Sequence, residues 1–196
     1  MRFDASVPLS VSLTQASTIY EQAALMKEFE DLGFDGAGVA DHLEHGRDAY
    51  ITLALGATQT SKIKLYPSVT NPITRHPFAL AGLANTMNEV APGRFRLAIG
   101  SGDSTAIHTG VPPATVDRFR EVIVAIQRLL AGKTVAFGNS PEERILDLTL
   151  APPPVTVTAS GRRAIELAGE VGDGAHMLIG TNPSIIKAAW RHLENG

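Results

Sequence analysis

The sequence predicts an α/β fold in which parallel strands are joined by crossover helices. Three observations carry that expectation. Six short apolar runs alternate with six longer amphipathic ones across 196 residues, the order that parallel strands with crossover helices require. The alternation is strict, giving six strand–helix units in succession. Small polar residues follow nearly every strand: Asp41-His42, Ser68 to Asn71, Ser101-Gly102-Asp103, Ser160-Gly161 and Gly180-Thr181-Asn182. A doubly wound sheet concentrates such residues at one switch point, whereas a TIM-barrel (β/α)8 gathers all its strand ends on one face. The spread predicts the barrel. A full barrel takes about 250 residues and eight units, so this one is expected to be incomplete, with about six βα units in a single domain over 1–196.

Val7 to Leu13 is expected as the first strand, followed by a helix capped by Ser17 and running to Leu32, with Ile19, Ala23, Met26 and Phe29 near helical spacing. "FDGAGVADH" (34–42) gives the second strand and Tyr50 to Gln59 the second helix. "KIKLYPSV" (62–69) is the third strand, and His76 to Glu89 the helix after it. "APGRF" turns the chain into "RFRLAIG" (94–100), the fourth strand. The loop beyond it holds His108. Thr115 to Leu130 is a long helix whose Val116, Phe119, Val122, Ile123, Ile126 and Leu130 share one face. Residues 131–150 are less regular and suit a hairpin or excursion. "PPVTVTAS" (153–160), Gly161 to Val171 and "GAHMLIG" (174–180) continue the alternation. Asn182 caps a last helix from Pro183 to Leu193.

Composition narrows the function. A net charge of -3 with no Lys/Arg-rich run argues against a nucleic-acid footprint. No apolar stretch reaches the roughly 18 residues of a membrane span, and the N-terminus lacks a signal-peptide pattern, so a cytoplasmic protein is expected. The absence of cysteine removes disulfides, thiolate metal sites and a cysteine nucleophile. The six histidines are spread along the sequence without His-x-x-x-His spacing, so no metal site is expected. No G-x-S-x-G elbow supports a serine hydrolase.

Four strand ends carry the candidate chemistry. Asp41-His42 sets a carboxylate beside an imidazole, a pair able to exchange protons near neutrality; a helix cap with a packing histidine uses the same residues. "PSVTNPITRHP" (67–77) is rigid and polar, and an ordinary proline-bounded loop also fits it. Gly100 and Gly102 let a flat ligand approach the backbone near Asp103, without the third glycine of a dinucleotide fingerprint. Ser160-Gly161 opens a helix whose amides suit a phosphate, with Arg162 and Arg163 adjoining; a plain glycine turn is the alternative. His176 reads as a core residue and His45 as a loop residue.

These segments together, "FDGAGVADH", "PSVTNPITRHP", "APGRFRLAIGSGD" and "VTASGRRAIELAGEVGDGAHMLIG", resemble the luciferase-like monooxygenase superfamily. They are most similar to its coenzyme F420-dependent branch, which includes methylene-tetrahydromethanopterin reductases. The resemblance covers the whole chain as the N-terminal two-thirds of the family's length. It implies an oxidoreductase exchanging hydride between coenzyme F420 and a small organic substrate, within a homodimer. It further implies a bulged cis peptide at Ser68-Val69 against the ring, supported by Thr70 and Asn71. Asp41 would contact the cofactor, and His42 would handle a proton or orient substrate. Gly100, Gly102 and Asp103 would lie along the cofactor, Ala159, Ser160, Gly161 and Arg162 would receive its phosphate, and Ile179 and Gly180 would extend the pocket. Two alternatives stay open: an FMN-dependent monooxygenase, and a catalytically silent flavin-binding or assembly subunit with an open barrel.

Overall fold

A computed structural model describes residues 8–13, 17–148 and 150–196. Among them six parallel strands run in chain order: β1 (Ser10–Leu13), β2 (Gly36–Val39), β3 (Lys64–Pro67), β4 (Leu97–Ile99), β5 (Val155–Ala159) and β6 (Gly174–Met177). Helices α1 (Ile19–Asp31), α2 (Ala49–Gln59), α3 (Pro77–Val90), α5 (Val116–Leu130), α6 (Arg162–Val171) and α7 (Pro183–Asn195) alternate with them. One more, α4 (Asp103–Thr109), follows β4 directly. The result is an open TIM-barrel wall of six βα units. Among the described residues the strands form two three-stranded parallel sheets, β1-β2-β3 and β4-β5-β6, linked by isolated bridges where β3 runs beside β4.

Local chemistry sets the ends. Thr18, not Ser17, caps α1: its hydroxyl accepts from the Glu21 amide, and the Glu21 carboxylate accepts from the Thr18 amide. Only Thr18 stands three residues before a glutamate, the spacing that a reciprocal cap needs. Asp48 caps α2, Thr115 caps α5, and Asn182 with Pro183 opens α7. Residue 7 of the expected first strand lies outside the described residues. The stretch expected to be an excursion carries an antiparallel bridge between Val135 and Glu143, and α4 replaces the loop expected around His108.

α5 shows how sequence becomes packing. Phe119, Val122, Ile123, Ile126 and Leu129 are essentially buried in the main core cluster, each contributing about 1.5–3 kcal/mol. β2 is narrow for a different reason. A Cβ on Gly38 would lie 2.5 Å from the Tyr66 ring, so the glycine lets that ring lie across the barrel interior. The β6–α7 unit is packed least, with β6 half-buried throughout and Ile185, Ile186 and Trp190 exposed on α7.

Glu30 closes the rim beneath α1 and α2. Its carboxylate accepts from the amides of Ser61, Lys62 and Ile63. Burial opposes its charge, but these bonds outweigh that and bring its pKa down to about 2. A depressed carboxylate stabilises the fold above its ordinary value of 4.5, and the contribution is lost as pH falls toward 2. Glu30→Gln is therefore expected to cost about 1–3 kcal/mol at pH 7 and progressively less in acid. Urea unfolding at pH 7 and pH 3 checks this; an equal cost at both would refute it.

Candidate functional site

The strand ends converge because β3 and β4 change register. Isolated parallel bridges join Leu65 to Phe95 and Thr70 to Ile99, where the chain at β3 runs beside β4. Five steps on one strand thus face four on the other, which makes a one-residue bulge. Within it the Ser68–Val69 peptide is cis. Thr70 pins the bulge: its amide donates to the Ala98 carbonyl, its carbonyl accepts from the Gly100 amide, and its hydroxyl donates to Asp41 Oδ2 at 2.9 Å. Asn71 is buried, accepts from the Ile73 and Thr74 amides, and donates to the Thr105 hydroxyl.

Behind the bulge sits an ion network. The Arg75 guanidinium lies 3.3 Å from Asp41 and 2.8 Å from Asp48, and stacks 5.1 Å from the buried Tyr50 ring. Burial works against each charge, yet Asp48 is held below its ordinary pKa by the hydrogen bond from Arg75, and Arg75 is held above its own by both carboxylates. Burial pushes the Tyr50 phenol well up.

In front of the bulge lies a cleft of about 690 Å³ at the C-terminal mouth of the strands. It brings together His42, Ser68, Val69, Thr70, Asn71, Gly100, Gly102, Asp103, Ala159, Ser160 and Gly161 from the expected set. Gly102 has φ +98°, and a Cβ there would lie 2.7 Å from Ile73, so glycine alone fits between bulge and α4. α6 begins at Gly161 with no side chain capping its amides, which leaves those donors free for an anion.

Four expected residues do not line the cleft. Asp41 is turned away, its oxygens occupied by Thr70 and Arg75. Arg162 folds along α6 onto Glu166 at 2.9 Å, the neighbour one turn on. Ile179 packs into a small apolar cluster with Ala159, Ile165 and Ala189. Gly180 occupies an exposed turn at φ +71°.

Sequence reasoning missed the floor of the cleft, formed by Ser10, Ser12, Tyr66, Thr158 and His176. Two-residue alternation along the strands was the available signal, since Ser10/Ser12 and Tyr66/Ser68 recur on one face. Ser12 donates to the Ser68 hydroxyl at 2.8 Å. Burial holds the His176 pKa below its ordinary value. Thr158 Oγ1 is buried without a hydrogen-bond partner among the described residues, whereas most buried polar atoms are paired.

The histidines are also less scattered than their spacing suggests. His42 Nδ1 lies 3.6 Å and His45 Nε2 3.9 Å from Glu44 Oε1, while His108 Nε2 lies 2.8 Å from Glu44 Oε2.

Comparison with known proteins supplies the context. The family described as luciferase-like monooxygenase matches residues 1–196. The chain is 32% identical over 182 residues to a 5,10-methylenetetrahydromethanopterin reductase of Archaeoglobus fulgidus, covering 90% of this chain and 54% of that protein. It is 37% identical over 162 residues to an F420-dependent glucose-6-phosphate dehydrogenase of Beutenbergia cavernae, covering 74% and 48%. The solved coenzyme F420-dependent tetrahydromethanopterin reductase of Methanopyrus kandleri superposes with a TM-score of 0.84 at 28% identity, covering 97% of this chain and 61% of that one. The chain thus spans about half the length of the two curated relatives.

Proposed function

Because the chain belongs to the luciferase-like monooxygenase family, we propose that it is an oxidoreductase that binds a flavin-type ring cofactor, specifically the deazaflavin coenzyme F420, and acts on a small organic molecule. The observation that carries this reading is the cleft itself, which joins the Ser68–Val69 bulge to an uncapped helix N-terminus. A planar ring fits against Val69 between the bulge and Gly100-Gly102. A phosphate fits beside Ser160 and Gly161 against the uncapped amides at the start of α6, where the helix dipole favours it. The unpartnered Thr158 hydroxyl gives a polar group on the ligand something to meet. When bound, the deazaflavin supplies the hydride exchange.

The protein's part is positioning and proton handling. Thr70, held by Asp41 and by β4, keeps the bulge in place. His42 stands on the cleft wall, one-third exposed, with Nδ1 toward Glu44. In this reading His42 gives or takes the proton that accompanies hydride transfer at a carbonyl or hydroxyl. Arg75 and Asp41 act through Thr70 rather than on the ligand.

F420 is favoured over FMN by the named relatives, a reductase and an F420-dependent dehydrogenase; the cleft's ring and phosphate features suit either. His42→Asn is expected to lower turnover by about 10²–10⁴-fold while leaving cofactor affinity within a few-fold. The assay follows F420 absorbance with sugar phosphates, pterins, ketones and secondary alcohols. Undiminished turnover in the variant would remove His42 from the reaction.

A further inference from the structure

We propose that His42, Glu44 and His45 form a three-ligand site for a zinc-class divalent metal ion at the rim of the cleft. The observation is the inward convergence of three donor atoms from a tight 3₁₀ turn, Leu43–His45. One donor atom from each of His42, Glu44 and His45 lies within 4.8 Å of the other two. The two His–Glu separations are 3.6 and 3.9 Å. Ligands about 2.0–2.1 Å from a tetrahedral zinc ion stand about 3.3 Å apart. The donors therefore need to close by about 0.3 and 0.6 Å on Glu44, and by up to about 1.5 Å between the imidazoles.

The second carboxylate oxygen is what makes this more than a loose cluster. His108, from α4, holds Glu44 Oε2 at 2.8 Å. That bond orients the carboxylate so that Oε1 faces the two imidazoles, the part that an outer partner plays for a metal-binding group. Two histidines and one glutamate leave a fourth position open, and one of the three ligands, His42, also lines the cleft. A water or a substrate oxygen would complete the coordination. The ligand side chains are about one-third to one-half exposed, which gives the ion a path in without opening the fold.

Occupancy would engage His42 Nδ1. If His42 moves a proton as proposed above, the metal inhibits by taking the lone pair that the proton needs. The binding itself does not depend on that reading.

The test titrates the purified chain with Co²⁺ and follows the visible d–d absorption that imidazole and carboxylate ligands produce, then displaces it with Zn²⁺. One ion per chain is expected to bind saturably. Glu44→Gln and His45→Ala should each weaken binding by at least about 100-fold, and His108→Ala by about 10–100-fold with unchanged stoichiometry. His192→Ala serves as the control: it removes the other paired histidine, 3.2 Å from Glu166 on α6, and should change nothing. Because His45 and Glu44 lie in a partly exposed turn, circular dichroism should be unaltered. F420 binding by His45→Ala separates failure of the metal site from failure of the cofactor reading. Absence of a saturable Co²⁺ band, or one unmoved by His45→Ala, would overturn the proposal.

Discussion

Replacing Ser160 with aspartate is expected to weaken binding of a phosphate-bearing ring cofactor by about 100-fold or more, while the fold stays intact. Ser160 is exposed, lines the cleft and immediately precedes the uncapped start of α6. A carboxylate there interacts favourably with the helix dipole, by about 0.3–1 kcal/mol, so thermal stability should hold or rise slightly. The same carboxylate meets the cofactor phosphate as a like charge, at a cost of several kcal/mol. Stability and affinity therefore move in opposite directions, which a general folding defect cannot imitate. Ser160→Ala should change affinity only a few-fold, because the backbone amides do the binding. Fluorescence titration beside a thermal melt reads both; equal affinity for serine and aspartate variants would show that the phosphate goes elsewhere.

The second large effect is expected at Arg75. Arg75→Met leaves the Asp41 carboxylate, only 10% exposed, and the Asp48 carboxylate, 34% exposed, without their shared cation. Removing one partner of a buried pair costs about 3–5 kcal/mol; the partial exposure of Asp48 favours the lower end. At about 2–4 °C per kcal/mol for a chain of this size, the melting temperature should fall by roughly 6–12 °C. The pH dependence adds a signature. Asp48 is depressed in the native state, so the network's stabilisation is present above its ordinary pKa of 3.8 and fades as pH falls below it. The gap between wild type and Arg75→Met should accordingly narrow in acid. Arg75→Lys should recover only part, since an ammonium cannot span two carboxylates and stack on Tyr50 as a planar guanidinium does. A melting temperature unchanged in Arg75→Met would mean the network is balanced by desolvation and holds nothing.

Most of the architecture was legible because strand–helix alternation is written in hydrophobic period. α5 is the clearest case: the apolar face read from Phe119, Val122, Ile123 and Ile126 is the face that is buried. The bulge was legible only through the family resemblance of "PSVTNPITRHP", because its prolines and Asn71 taken alone also fit an ordinary loop. Other features depend on partners distant in sequence. Asp41 belongs to Arg75 and Thr70, 34 and 29 residues away, and no local pattern announces that pairing. Arg162 looked like a phosphate ligand because it adjoins Ser160, but Glu166 at the next turn competes for it. α4 went unread because its seven residues are too few to show a period. The grouping of His108 with Glu44 follows from that helix and could not be read without it.

The central claim, that the cleft holds a deazaflavin between the Ser68–Val69 bulge and the α6 N-terminus, is tested most directly by titrating the purified chain with coenzyme F420 and, in parallel, FMN. Saturable binding of F420 that is lost in Ser160→Asp is the predicted result. Preferential binding of FMN, lost in the same variant, would keep the site and contradict the cofactor. Binding of neither by a folded chain would contradict the claim itself.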